Sequence, residues 1–454
     1  MVPRMNQLTD EPQCDADSQR LAENDQANVL LRTFGCRVNQ YESDAMRSQL
    51  ASAYRIVRSS EPADIVIVNG CTVTGLAAGK SRKAVRQAKR DHPGAIIVLI
   101  GCLAEAAEQG WGDAGEADLT ASNAWKRSVA DVVRYALSGW RGDLGDAPPV
   151  PLNREAIRAS FPGFDGRIRG FLKIQDGCTG ACTYCQTRLV RGPAHSKSVK
   201  AAAAEARTMI AAGAPELVLS GINLSEYAPS DGDLADLIRE LDRLPGLKRL
   251  RLGSINPDGV TDRLLDALAE AGSACPHLHI AIQSGDDGVL RRMNRRYTTA
   301  DVERRVREAR SAVPGITFGT DVMVGFPGES EDAFANTCSL VERVGFINLH
   351  LFRYSRREGT AAVHLDRHLD GSIKLRRAAA LESRWHEARA KWLAGRVGEC
   401  RTVLAEEKKD QDWCGYSEDY VGVRLRSVLP LHSGSEVRVR ITSLAEDGWG
   451  ARPC

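Results

Sequence analysis

The chain has 454 residues, is 43% hydrophobic and 26% charged, and carries a formal net charge of +2. That length suggests two to four domains with an ordinary globular core. A near-balanced charge excludes nucleic-acid binding by overall basicity, so any basic surface must come from local clustering. No apolar run approaches the roughly 18–20 residues that span a bilayer, so no membrane association is expected.

Residues 1–27 are polar, mixed in charge and without an apolar core, and read as a disordered leader rather than a signal or transit peptide. The expected location is the reducing cytoplasm, where twelve cysteines point to metal ligation or catalysis rather than disulfides.

From residue 28 to 140, strand-like runs at Val29–Phe34, Ile65–Asn69 and Ile96–Ile100 alternate with helical stretches such as Ala78–Arg90. This predicts a parallel α/β sandwich. Residues 141–165, which open on a Gly-, Asp- and Pro-rich run, read as a linker. Residues 166–395 carry a second alternation. Its strands are read at Gly170–Gln175, Glu216–Gly221, Lys248–Ser254, His277–Gln283, Thr317–Val324 and Asn348–Tyr354. Helices between them predict a (βα)6 partial barrel, followed by a long Arg-rich helix over Ile373–Leu393. Residues 396–454 change to β-type patterning at Cys400–Ala405, Tyr420–Leu425 and Glu436–Ile441, which predicts a small antiparallel β-barrel.

Cys178, Cys182 and Cys185 form CxxxCxxC in DGCTGACTYC, directly after the first barrel strand. The C-terminal ends of barrel strands carry active sites, because the βα loops converge there. Three thiolates in one short loop hold three corners of a cubane iron–sulfur cluster and leave the fourth iron open. The competing reading is structural zinc, which wants four ligands, and no fourth is evident nearby.

Cys36, Cys71 and Cys102 each follow an apolar strand by one or two residues, and each is preceded by glycine. In a parallel sheet such positions line one edge. A single cysteine of this kind reads as a small buried hydrophobe; three at equivalent positions point to a second cluster.

CxxxCxxC at this place in a six-unit barrel resembles the radical S-adenosylmethionine (SAM) superfamily, in which the open iron binds SAM. The whole chain beyond the leader resembles the radical SAM methylthiotransferase family. The resemblance is carried by TFGCRVNQYES, VNGCTVT and IGC in the first domain and by FLKIQDGC, LSGIN, LGSINPD, IQSGDD, DVMVGFPGE and YSRREGT in the barrel. GYSEDYVGV resembles the small RNA-binding barrel (TRAM) that closes these enzymes. Within the family, CRVNQYES is similar to the MtaB-type branch that modifies N6-threonylcarbamoyladenosine in tRNA, where the isopentenyladenosine branch shows a CQMN-like stretch.

The resemblance implies two [4Fe–4S] clusters, two SAM molecules with different chemical roles, a tRNA partner and an electron donor such as flavodoxin or ferredoxin. It implies that Cys178, Cys182 and Cys185 hold the radical-forming cluster, and that Cys36, Cys71 and Cys102 hold the one that delivers sulfur to C2 of the adenosine. An aromatic C–H bond gives acid–base catalysis little grip, which is consistent with handing the chemistry to cofactors. One departure is QTRLVRG after Cys185, where relatives show an apolar pair and a Pro–Tyr-like step; it bears on substrate choice.

Asn223, Ser254, Gln283 and Asp321 lie at strand ends and are candidates for SAM or substrate contact, against loop capping as the alternative. Tyr184 is a candidate for stacking near the SAM adenine or for packing the loop. Basic clusters at Arg291–Arg296, Arg304–Arg310, Arg353–Arg357 and Arg376–Arg396 are candidate phosphate contacts or solvated faces. Trp413, Tyr416 and Tyr420 are candidates for base stacking, with hairpin packing as the alternative. The nine histidines show no ligand spacing, and Cys14, Cys275, Cys338, Cys400, Cys414 and Cys454 read as non-ligands. Competing readings are a family member acting on isopentenyladenosine or on a ribosomal-protein aspartate, and a non-catalytic, zinc-containing RNA-binding protein.

Overall fold

Continuous apolar runs dictate the first sheet. Val29–Leu31, Ile65–Val68 and Ile97–Ile100 are buried throughout, as strands covered on both faces must be. In the computed structural model, which describes residues 27–146, 168–426, 430–445 and 448–454, they form the centre of a six-stranded parallel sheet. Its order is Arg55–Ile56, Asn28–Thr33, Ile65–Gly70, Ile96–Gly101, Leu119–Ala121, Gly142–Asp143. Helices Arg37–Leu50 and Val129–Leu137 pack on one face through Met46, Leu50, Val132 and Val133. Helix Gly75–Asp91 packs on the other through Ala78, Ala84, Val85 and Ala88. The strand order reverses between Asn28–Thr33 and Ile65–Gly70, and such a switch point opens a crevice at the strands' C-terminal ends. The sandwich extends beyond residue 140: Gly142–Asp143 joins the sheet edge and Leu144 is buried, so the linker begins later than the sequence suggested. The leader through residue 26, Cys14 and the remainder of the linker lie outside the described residues.

The barrel strands are Arg169–Lys173, Glu216–Ser220, Arg249–Leu252 with Ser254–Ile255, His277–Ile280, Thr317–Val324 and Asn348–Arg353, all parallel and in chain order. The third strand breaks at Gly253, where an added Cβ would lie 2.8 Å from the Leu219 carbonyl oxygen; close backbone approach, not turn chemistry, requires glycine there. Among the described residues no ladder joins the first strand to the last, so the barrel is open on that side. Alternation sends Leu217, Leu219, Leu250, Leu278, Ile280, Phe318 and Val322 into the core under the helices. Arg169, Glu216, Arg249, Arg251, His277, His279, Asp321 and His350 therefore point into the lumen. Helix starts are set locally: Asp233 and Thr298 close capping boxes, and Ser198, Thr261 and Ser330 cap with their hydroxyls.

Helix Gly371–Ala394 leads to a closed five-stranded barrel of order Cys400–Lys409, Asp412–Ser417, Gly422–Leu425, Gly448–Pro453, Glu436–Ala445, as expected of a TRAM module. The Gly422–Leu425/Gly448–Pro453 pair is parallel, which corrects the purely antiparallel expectation. This barrel plugs the N-terminal mouth of the large one. Arg251 pairs with Glu216 (2.9 Å) and donates to the Ser417 and Glu418 carbonyls (2.8 and 3.0 Å), while Arg249 donates to the Tyr416 and Thr402 carbonyls (2.8 Å each). Tyr420 lies in a turn at φ 65°, not in a strand. Its ring rests on His277 and lies under Arg251, and its hydroxyl accepts from Arg37 (2.9 Å). Tyr416 lies under Arg169. Tyr416 and Tyr420 thus pack the joint between the barrels rather than offering faces to RNA bases, and Trp413 packs partly against the small barrel's core.

Candidate functional site

The loop after the first barrel strand is folded by backbone constraints. Gln175 donates to the Gly177 carbonyl (2.8 Å) and accepts from the Ile222 and Asn223 amides (2.9 Å each). Gly177, at φ 66°, passes so close to the Pro193 carbonyl that no Cβ fits. These constraints bring Cys178, Cys182 and Cys185 into one loop. The Gly180 amide approaches Cys178 Sγ at 3.3 Å, and Arg295 Nη1 donates to Cys182 Sγ at 3.1 Å. Burial pushes the Cys178 thiol up to about 11 and raises Cys185 as well. A thiol held there is protonated at neutral pH unless a metal claims it. Amide and guanidinium donors aimed at sulfur suit a thiolate-bound iron–sulfur cluster.

The second set meets at the crevice of the N-terminal sheet. An added Cβ on Gly35 (φ 99°) would lie 2.5 Å from Cys71 Sγ, so glycine lets the Cys36 turn close over Cys71. Gly101 (φ 96°) and Gly70 are equally confined, by Asn69 and Lys126 and by Leu99 and Leu103 respectively. Burial, and then the mutual repulsion of the three sulfurs, pushes Cys71 up to about 12; Cys36 is raised by burial in spite of Arg191. Three sulfurs close enough to repel one another, with cationic and amide donors around them, fit a second cluster by the same reasoning.

The two sets share one junction. Arg191, six residues past Cys185, reaches across to the N-terminal domain: Nε donates to Cys102 Sγ (3.2 Å), Nη2 to Asn39 Oδ1 (2.6 Å), and Nη1 to Glu42 and Asp176 (2.9 Å each). Glu42 also pairs with Lys126 and Lys173 (2.6 Å each). Three cations, Lys126, Lys173 and Arg191, face two carboxylates, Glu42 and Asp176, which leaves a net +1 beside Cys102. A thiolate-rich centre is the natural counter-charge. On the other side, Thr72 hydrogen-bonds Gln186, and Arg357 donates to both. The neighbours of Cys71 and Cys185 are therefore tied directly together.

Of the other residues singled out from the sequence, Asn223 caps the turn Leu224–Glu226, and its Nδ2 lies 3.9 Å from Cys178 Sγ. Gln283, at φ 62°, bridges strand Thr317–Val324 by backbone bonds to Asp321 and Met323. Tyr184 packs edge-on against Phe326. Ser254 donates to Asp321 Oδ2 at 3.3 Å. Asp321 also unites two histidines, since His279 Nε2 and His350 Nδ1 both lie 3.0 Å from its Oδ1. Burial opposes its ionisation, but the two imidazoles outweigh this and hold the carboxyl well below the usual carboxylate range. The histidines show no ligand spacing along the chain, yet two of them meet here on one carboxylate oxygen. Residues 279, 321 and 350 lie on three neighbouring strands, and no sequence spacing signals them. Arg295 and Arg357, read within the basic clusters Arg291–Arg296 and Arg353–Arg357 as phosphate contacts or solvated faces, instead turn to Cys182 and to Thr72 and Gln186. Glu42 escaped notice, its one clue being that it follows Cys36 by six residues.

A parallel partial barrel with CxxxCxxC in its first loop defines a radical SAM enzyme. The Radical SAM superfamily model matches residues 172–341, and the model described as Uncharacterized protein family UPF0004 matches residues 28–120. The chain is 35% identical over 418 residues to the threonylcarbamoyladenosine tRNA methylthiotransferase MtaB of Chlamydia pneumoniae, covering 91% of this chain and 95% of that protein. It is 35% identical to the MtaB of Thermotoga maritima, covering 92% and 95%. It is 32% identical to the tRNA-2-methylthio-N(6)-dimethylallyladenosine synthase of Acidithiobacillus ferrooxidans, covering 83% and 86%. The radical SAM methyltransferase TsrM of Kitasatospora setae superposes with a TM-score of 0.53 at 16% identity, covering 74% of this chain and 75% of that one, which is a likeness of fold alone. The chain belongs to the radical SAM methylthiotransferase family. Membership implies SAM and a [4Fe–4S] cluster. No helix among the described residues is long and apolar enough to cross a membrane.

Proposed function

We propose that this enzyme adds a methylthio group to C2 of N6-threonylcarbamoyladenosine beside the anticodon of tRNA, in the cytoplasm. In this reading it uses two [4Fe–4S] clusters, two SAM molecules and an external donor of the flavodoxin or ferredoxin type. Cys178, Cys182 and Cys185 hold one cluster; Cys36, Cys71 and Cys102 hold the other. The observation that carries the proposal is the meeting of both cysteine sets at one junction, crossed by Arg191.

When bound, the clusters and SAM supply a carbon-centred radical for C2 and the sulfur that replaces its hydrogen. The chain's own residues orient and shield. Arg295 and Arg191 present N–H groups to Cys182 and Cys102, which stabilises negative charge on sulfur. The Glu42 network fixes the distance between the two domains and excludes water from the junction. Asn223 and Tyr184 line or brace the cysteine loop.

The lumen favours the threonylcarbamoyl substituent over a dimethylallyl one. His279, Asp321, His350 and Ser254 line it. Hydroxyl, carbamoyl and carboxylate groups can pair with such side chains, whereas an isoprenoid would leave them desolvated and unpaired. The names of the MtaB relatives agree with this choice.

The test is nucleoside mass spectrometry of tRNA from a strain lacking the gene, joined to electron paramagnetic resonance of anaerobically reconstituted protein. Loss of the methylthio-threonylcarbamoyl nucleoside and two distinguishable clusters are expected. Loss of the dimethylallyl derivative instead, or a colourless protein with stoichiometric zinc, refutes the reading. Cys182→Ala should abolish SAM cleavage, and Cys71→Ser should abolish thiolation while SAM cleavage persists.

A further inference from the structure

We propose that the exposed face of helix Gly75–Asp91 is a rail that holds the phosphodiester backbone of the RNA substrate as the adenosine enters the crevice. This rests on the tRNA reading above and adds a binding surface to it. The helix carries Lys80, Arg82, Lys83, Arg86, Lys89 and Arg90 against one acid, Asp91, in a chain whose net charge is only +2. Its apolar stripe, Ala78, Ala84, Val85 and Ala88, is spent on the sheet. The opposite stripe is Leu76, Lys80, Lys83, Arg86 and Arg90, all exposed and spaced by three or four residues, so the side chains lie in one row. From Lys80 to Arg90 the row runs ~15 Å at the α-helical rise.

Two features distinguish this row from an ordinary solvated face. Among the described residues Lys80, Lys83 and Arg86 have no ion pair, whereas Lys89, off the row, is neutralised by Asp118 at 2.8 Å, and Asp91 is engaged by Arg32. The row also begins at the site. Thr74 caps the helix three residues past Cys71, and Gly75 seats against Ser355, where an added Cβ would come within 2.9 Å of Oγ. Arg82 is near enough to add to the partial burial that disfavours the charge of the half-buried Arg357. At this end Val73 and Leu76 are 49% and 71% exposed, the two most accessible large apolar side chains near the cysteines. An apolar step beside the crevice followed by unpaired cations suits a flipped nucleotide with flanking phosphates. An acidic reductase would match the charge but has no use for a row that leads out of the substrate crevice.

The experiment compares reconstituted full-length enzyme with K80E/K83E/R86E and the charge-keeping K80R/K83R/R86K, measuring tRNA binding against salt. SAM cleavage is followed separately, with dithionite and with flavodoxin as reductant. The acidic triple variant should bind tRNA ~10–100-fold more weakly at fixed salt, with the salt slope reduced by about 2. The arginine and lysine exchange should restore both, and SAM cleavage should stay unchanged with either reductant. An unaltered slope overturns the rail. So does a variant that keeps tRNA affinity and loses only flavodoxin-driven cleavage, which would assign the row to an acidic electron donor. Wild-type enzyme that binds no tRNA would instead refute the tRNA reading, and the rail with it.

Discussion

Arg191 Nε lies 3.2 Å from Cys102 Sγ, though 89 residues separate them. Arg191 closes the short helix Thr187–Arg191 that follows the barrel cysteines, and Cys102 opens the helix after strand Ile96–Gly101 of the N-terminal sheet. One guanidinium thus reads the position of one cysteine set against the other, and its remaining nitrogens are held by Asn39, Glu42 and Asp176. A planar fork with five donors suits this task, and a lysine does not.

Arg191→Lys should therefore preserve the barrel cluster and perturb the other. The expected outcome is SAM cleavage near the wild-type rate with methylthio transfer reduced ~10–100-fold, the usual range for partners that orient metal ligands. Iron content and single-turnover product analysis measure the split. A parallel loss of cleavage and transfer would contradict the assignment.

Glu42 holds the junction electrostatically. Burial opposes its charge, but Lys126, Lys173 and Arg191 hold its carboxyl well below the usual range. A lowered folded-state pKa contributes stability that is complete above the unfolded value, about 4.3, and is lost as pH falls below it. Glu42→Gln should cost about 3–5 kcal/mol near neutral pH, as expected when one partner of a buried ion cluster is removed. The gap from wild type should narrow below pH ~4. Urea midpoints from pH 3.5 to 7 test this; a pH-independent gap would count against it.

His350→Ala and Asp321→Asn remove polar partners from the lumen without touching the cysteines. Each should lower kcat/KM for threonylcarbamoyladenosine tRNA ~10–100-fold, as for a site built to hydrogen-bond its substrate. Iron content should not change. Equal activity on substrates with and without the threonyl carboxylate would show that the cluster does not read that group.

Tyr420→Ala empties the joint between the two barrels, where the ring meets His277 and Arg251. Loss of a large aromatic from such a contact costs ~3–5 kcal/mol, so the small barrel should come free under limited proteolysis before the large one. Simultaneous cleavage of both would argue that Arg249 and Arg251 suffice to hold the joint.

Much of this organisation is legible locally. Cys178, Cys182 and Cys185 announce themselves by spacing, and strands such as Ile96–Gly101 by continuous apolar character. The glycines before Cys36, Cys71 and Cys102 signal tight turns that the structure confirms at Gly35 and Gly101. Tyr420 was less legible: an aromatic in a β-rich tail fits either RNA stacking or packing, and the cations that claim it, Arg37, Arg169 and Arg251, lie at least 169 residues away. Gly142–Leu144 looked like linker because Gly and Asp are turn formers, yet pairing with Leu119–Thr120 overrides that propensity. The basic row of helix Gly75–Asp91 became visible only once burial separated its two faces.

The chain's local order determined the three-part architecture and the two cysteine sets, because hydrophobic period, glycine placement and short ligand spacing act over a few residues. Tertiary structure alone decided that the two sets meet, that three cations and two carboxylates gather at Arg191, and that His279, Asp321 and His350 share one carboxylate oxygen. Those are contacts between strands and domains, and their partners are chosen by sheet order and packing, which no short stretch of sequence encodes.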